Sequence, residues 1–183
     1  MSKNFILILI VLTILSLVTF FINIFNSDKI KNKNESKTNM NIISKSFENE
    51  SKIPEKYTCD GENINPNLEI SSVPSNSKSL LLIMDDPDAS FGIWDHWILY
   101  NIDPSVTTIE ENSIPSKAKQ GKNSWGKIEY GGPCPAKGTH RYIFRLYALD
   151  IELNLDEGAT KDEVLNATAN HVLEKSELIG LYK

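Results

Sequence analysis

Apolar residues along the chain fall into one long block and several short runs. Phe5 to Phe25 reads FILILIVLTILSLVTFFINIF, with no charged residue and only Thr13, Ser16, Thr19 and Asn23 as polar interruptions. A helix over this stretch is about 32 Å long at ~1.5 Å per residue, the depth of a bilayer core. A soluble helix needs a polar face, and this one has none. The pattern predicts a transmembrane anchor over 5–25 behind a short flank, 1–4. A cleaved signal peptide is the competing reading, but it ends at an A-x-A-like site. The first alanine of the chain is Ala89. Residues 26–41 are rich in Asn, Lys and Ser and cannot bury enough surface to offset ordering, so they read as a flexible linker. A folded domain is expected over 42–183.

Within that domain the runs are short and punctuated. Ser79 to Met84 (SLLLIM) is continuously apolar and precedes a turn-like DDPD, the pattern of a buried central strand. His96 to Ile102 (HWILYNI) is a second such run. Arg141 to Leu149 alternates, with Tyr142, Phe144, Leu146 and Ala148 on one face. Its other face is not purely polar, so cover on both sides is expected. Pro and Gly clusters separate these runs, as in Asp86-Pro87-Asp88 and Gly131-Gly132-Pro133-Cys134-Pro135. Thr160 to Glu163 is a capping-box pattern, with Val164, Leu165, Thr168, Val172 and Leu173 following at near-helical spacing. Together these predict a mostly β protein, a β-sandwich with a C-terminal helix, preceded by one transmembrane helix.

A net charge of −5 argues against a nucleic-acid partner, which selects a basic surface stripe. It leaves room for a local cationic pocket. Orientation of the anchor is set by competing signals. Lys29, Lys31, Lys33 and Lys37 outnumber Lys3 across the segment, yet long domains translocate largely regardless of flanking charge. Three glycosylation triplets, beginning at Asn34, Asn49 and Asn166, accompany them. A membrane-anchored, extracytoplasmic domain is the expectation. Cys59 and Cys134 are either one bridge in an oxidising compartment or two small buried residues.

Three segments concentrate chemistry where a predicted strand meets a loop: DDPDAS at Asp85–Ser90, WDHW at Trp94–Trp97, and GGPCPAKGTHRY at Gly131–Tyr142. A histidine beside a strand is, taken singly, more often a packing residue, and His171 belongs to that class. Asp86 and Asp88 on their own are turn caps. As an ordered set these segments, with YTCDGENINPNL, resemble the phosphatidylethanolamine-binding protein family, in its bacterial and archaeal Raf-kinase-inhibitor-like branch. The resemblance runs from about Phe47 to Tyr182. Ser90 and Ala136 stand where many relatives have proline, and Asn65-Pro66-Asn67 replaces a more usual Ser-Pro-Pro-like run.

The resemblance implies a β-sandwich whose small exposed pocket accepts phosphate-like anions, a phospholipid head group or a phosphorylated side chain. By motif position its ligand-binding residues are Asp86, Asp88, His96, Gly132, Pro133, His140 and Tyr142. It also implies inhibition of a protein kinase or protease as a role of some members. No cofactor, metal or catalytic residue is expected. The chemistry agrees: a histidine pair supplies N–H donors, a carboxylate favours the charged imidazole, and a Gly-rich loop offers backbone amides. Anion binding is then expected to tighten as pH falls from about 8 to 6, across the ordinary imidazole pKa of ~6.5. Two alternatives use the same residues. Asp86, His96 and His140 make a two-histidine, one-carboxylate metal set, though without HxH or HxxxH spacing. Cys134 or a serine with His140 as base makes a hydrolase, though without a GxSxG elbow.

Overall fold

The computed structural model describes residues 39–183. The expected transmembrane segment 5–25 lies outside them, and the anchored, extracytoplasmic placement is corrected here. Among the described residues no helix is long and apolar enough to cross a membrane. The physical reason is length: the α-helix has eight residues, about 12 Å at ~1.5 Å per residue against a core of about 30 Å.

Nine strands form two sheets among the described residues. Strands β1 (Asn41–Ser44), β3 (Leu68–Ser71) and β6 (Thr108–Ile109) make a small antiparallel sheet in the order β1-β3-β6. The larger sheet contains β2 (Ser51–Lys52), β4 (Ser79–Asp86), β5 (Trp94–Ile102), β7 (Lys119–Gln120), β8 (His140–Leu149) and β9 (Val172–Tyr182). Its order is β2-β9-β8-β4-β5-β7, antiparallel except for the β2–β9 pair.

The continuous apolar run SLLLIM follows from burial of this sheet on both faces. Leu80, Leu82 and Met84 join Phe144, Leu146 and Leu178 in the core shared with Ile42, Leu68, Ile70 and Ile109 of the small sheet. Leu81 and Ile83 point the other way, into a second core with Ile98, Tyr100, Leu153 and Val164. Alternate residues of one strand thus serve two cores, which removes the polar half of the usual alternation. The strand runs two residues beyond the expected end, so Asp85 and Asp86 belong to β4 and the turn starts at Pro87.

The helix needs a second correction. α1 spans Lys161–Thr168 with its capping box formed, Thr160 accepting from the Glu163 amide. It is not C-terminal: Val172 and Leu173 open the eleven-residue β9. Asn170, at φ 68°, turns the chain between the two. Pairing of β9 along the whole of β8 outweighs the helical preference of Glu174-Lys175-Ser176-Glu177-Leu178.

One irregularity positions chemistry. On the β4–β5 ladder Met84 pairs with Trp97, but Asp85 pairs with Asp95, leaving His96 as an extra residue. Such a bulge turns a side chain away from regular alternation. Asp95 faces the second core's side, Trp97 lies in the first core, and His96 sits against Tyr142.

Candidate functional site

The central strand β4 ends at Asp86, between the start of β5 and the start of β8. This places Asp86, His96, His140 and Tyr142 at one end of the large sheet. Asp86 is buried, 3% exposed, and both of its oxygens are engaged. Oδ2 lies 2.7 Å from His140 Nδ1, and Oδ1 accepts the Asp88 amide at 2.8 Å. His140 Nε2 lies 3.2 Å from the Lys137 carbonyl. With acceptors at both ring nitrogens, the imidazolium is the form that satisfies both. Its hydrogen bond to Asp86 raises the His140 pKa above the ordinary value, against a smaller opposing effect of burial.

His96 behaves differently. It is 3% exposed and its Nδ1 lies 2.7 Å from the Gly131 carbonyl. A carbonyl only accepts, so Nδ1 carries the proton and Nε2 of the neutral ring is an acceptor. Burial pushes the His96 pKa below the ordinary value, more strongly than the Gly131 bond and the Asp86 charge pull it up. The two rings therefore shift in opposite directions, His140 upward and His96 downward.

Tyr142 stands edge-on to His96, ring centroids 5.1 Å apart. It is wholly buried, and its hydroxyl has no hydrogen-bond partner of good geometry among the described residues. Burial, and then the Asp86 charge, push the phenol well above its ordinary pKa, so it remains a proton donor.

The remaining expected residues have structural duties. Asp88 holds Arg141 by two hydrogen bonds, 2.8 Å to Nε and 2.7 Å to Nη2, and also accepts the Arg141 amide at 3.0 Å. That guanidinium lowers the Asp88 pKa to about 2. The Gly-rich loop does not offer the free amides expected of Gly131 and Gly132. Gly131 donates to the His96 carbonyl at 3.0 Å, and Gly132 donates to Asn63 Oδ1 at 2.7 Å. Gly132 is required for packing, since a Cβ there would stand 2.5 Å from the Tyr57 carbonyl oxygen. The Pro133 carbonyl accepts from the Cys59 amide at 3.1 Å. Cys59 and Cys134 are joined by a disulfide, which removes Cys134 as a thiolate nucleophile. Among the described residues no group of three or more His, Cys, Asp or Glu is arranged to hold a metal ion.

Two contributors carried no signal in the sequence. Trp125 covers His96, ring centroids 5.0 Å apart and nearly perpendicular. It is 45% exposed and is presented by a loop wound around buried Asn123, whose Oδ1 accepts the Trp125 and Lys127 amides, each at 3.0 Å. A single tryptophan in GKNSWGK has no periodicity to mark it. Asn63 braces Gly132 from a segment 69 residues earlier. A cavity of about 220 Å³ beside this loop is walled by Cys59, Asn63, Trp125, Tyr130, Gly132 and Cys134, among others. Five cavities among the described residues have walls that omit Asp86, His96 and His140.

Comparisons with known proteins bear on this geometry. The sequence model of a family described as phosphatidylethanolamine-binding protein matches residues 43–183. A UPF0098 protein of Methanothermobacter thermautotrophicus is 50% identical over 149 residues, 79% of this chain and 99% of its own length. A UPF0098 protein of Pyrococcus horikoshii is 46% identical over 151 residues, 77% of this chain and 75% of its own. The crystal structure of a phosphatidylethanolamine-binding protein homologue from Chlamydia trachomatis superposes with a TM-score of 0.77 at 42% identity, covering 80% of this chain and 98% of its own. Escherichia coli YbcL, described as a member of the mammalian family, gives 0.74 at 26% identity, covering 79% and 98%.

Proposed function

The chain belongs to the phosphatidylethanolamine-binding protein family, and from that premise we propose that Asp86, His96, His140 and Tyr142 bind a phosphate-like anion without turning it over. A phospholipid head group and a phosphorylated ligand share the chemistry that the cluster would recognise. The observation that carries the reading is the Tyr142 hydroxyl, wholly buried beside the Cys134 amide and the Asp86 carboxylate yet without a hydrogen bond of good geometry among the described residues. An unpaired buried donor costs about 1–3 kcal/mol, which an anionic oxygen placed against it would recover. The His140 imidazolium supplies the positive charge, with Asp86 fixing its ring. His96 is an acceptor at Nε2, so it suits the protonated oxygen of a phosphate or phosphomonoester. Asp88, through Arg141, and the Gly132–Pro133 turn shape the rim.

Calorimetry with inorganic phosphate and with sulfate tests these roles separately. Sulfate stays fully ionised between pH 6 and 8, so its pH dependence reports the protein. Both anions should bind more tightly at pH 6 than at pH 8, because the charged His140 is the binding form. His140→Ala should weaken both by about tenfold or more, since it removes a positive charge a few ångströms from the anion. His96→Ala should weaken phosphate and spare sulfate, which has no proton to donate. Equal sulfate affinity at the two pH values would sink the His140 role. Turnover of a phosphoester, abolished in His140→Ala, would replace binding by catalysis.

A further inference from the structure

We infer that the Cys59–Cys134 disulfide is a redox switch for this site, its reduction releasing the loop from Cys134 to Thr139 and weakening anion binding. The inference rests on the anion-binding reading above and adds a form of regulation to it. Both cysteines are exposed, so a small dithiol or a reducing protein can reach the sulfurs. Exposed disulfides are the ones prone to exchange.

The two ends of the bridge differ in what else secures them. On the Cys59 side, the Cys59 amide donates to the Pro133 carbonyl at 3.1 Å, Asp60 accepts from the Tyr182 hydroxyl at 2.7 Å, and Asn63 accepts from Gly132 at 2.7 Å. Hydrogen bonds therefore fix the opposing loop as far as Pro133. From Cys134 onward the segment is largely exposed until β8 begins at His140, and the disulfide is its covalent tie. Cys134 matters because its backbone amide lies against the Tyr142 hydroxyl. The loop that the bridge clamps thus touches two of the four proposed binding groups, Tyr142 through Cys134 and His140 through the Lys137 carbonyl.

Freeing the loop also loosens the Lys137 carbonyl from His140 Nε2, a long contact at 3.2 Å. That returns one donor to the ligand but lets water reach Tyr142 and removes the fixed placement of Cys134. Lost preorganisation is the larger effect, since ordering a loop on binding costs affinity. The redox step is ordinary thiol–disulfide exchange. A dithiol thiolate attacks one sulfur of the bridge, its second thiol resolves the mixed disulfide, and the reductant leaves oxidised. Two electrons and two protons end on Cys59 and Cys134 as thiols.

The test is calorimetry of inorganic phosphate on the full chain, oxidised, treated with dithiothreitol, and reoxidised, with Cys59→Ser/Cys134→Ser alongside. The expected result is at least tenfold weaker binding after reduction and recovery on reoxidation. The double variant should match the reduced protein and ignore dithiothreitol. In parallel, nitrogen NMR of the histidine rings should show the His140 titration moving downward on reduction, as the Lys137 carbonyl leaves its Nε2. Equal affinity in both redox forms, with His140 unmoved, overturns the switch and leaves the anion site standing. No phosphate binding in either form overturns the anion site, and the switch with it. Loss of the far-UV β signal on reduction also overturns the switch, because regulation requires the sheet to survive.

Discussion

Asp86 grips His140 at 2.7 Å, while 35 residues separate His96 from the carbonyl that fixes its own Nδ1. These partners, one charged and one neutral, give the two rings opposite linkage to stability. The folded pKa of His140 is raised. Its contribution is therefore fully present below the unfolded value of ~6.5 and is lost as pH rises through the folded value. The folded pKa of His96 is lowered by burial. Its contribution is present above ~6.5 and is lost as pH falls through the folded value. The wild-type protein should therefore be most stable near the ordinary imidazole pKa of ~6.5, because the His140 contribution falls away above it and the His96 contribution below it. Urea unfolding between pH 5.5 and 8 should reveal them singly. In His140→Ala stability should drop on acidification more than in wild type, and in His96→Phe it should rise. Parallel profiles in the two variants would contradict the assignment. A second check is direct: Asp86→Asn should bring the His140 titration down toward its ordinary value in NMR. Motif order in the sequence brought these four residues together, but it could not separate their charge states, because that depends on which acceptor each Nδ1 meets.

At the scale of elements, the large sheet is tied to α1 by charges on the face opposite the site. Asp85, 3% exposed, accepts from Arg145 Nε at 3.0 Å and lies 3.6 Å from Lys161 Nζ at the start of α1. Arg145 also pairs with Glu177 on β9 at 2.6 Å, and Lys161 with Asp95 on β5. Removing the shared carboxylate leaves two part-buried cations to their outer partners. Asp85→Ala should cost near the low end of about 3–5 kcal/mol, read from the urea midpoint. Thr160→Ala removes only the cap of α1 and should cost about 1 kcal/mol. A smaller loss for Asp85→Ala than for Thr160→Ala would mean that the network contributes little. The contrast also marks what a sequence can disclose. The capping box is local and was readable at Thr160 and Glu163. The apolar runs of β4, β5 and β8 were readable because burial fixes their residue types. Val172 and Leu173, the first residues of β9, were read into the helix because the partner of that strand lies on β8, a non-local pairing that outweighs the preferences of Glu174 to Leu178. The bulge at His96 was likewise hidden, since it is a property of the β4–β5 register rather than of either strand alone.

For the whole molecule, the question is where the cooperative unit begins. The family match starts at residue 43, but the packing starts earlier. Met40 and Ile42 are 3% and 1% exposed and belong to the core between the sheets. The Met40 amide donates to Glu174 at 2.8 Å and the Ile42 amide to Ser176 at 3.2 Å, so β1 is fastened to β9 as well as to β3. Each buried apolar side chain of this size is worth about 1.5–3 kcal/mol, so the pair supplies about 3–6 kcal/mol. Net stabilities of domains are about 5–15 kcal/mol, which makes these two residues a large share of the total. A chain beginning at Asn39, which keeps both residues, sets the reference urea midpoint. A chain beginning at Ile43, the edge suggested by family likeness, should lose several kcal/mol and unfold at a clearly lower concentration. Its exposed face of Leu68, Ile70 and Ile109 should then bind a hydrophobic dye that the longer chain does not. Equal midpoints for the two chains would show that the core closes without β1. The consequence for the site is indirect but definite: β9 aligns β8 along its whole length, and β8 carries His140 and Tyr142. Shortening the chain at its first strand should therefore weaken phosphate binding more than any single change on the rim, although no residue of β1 lies among the proposed binding groups.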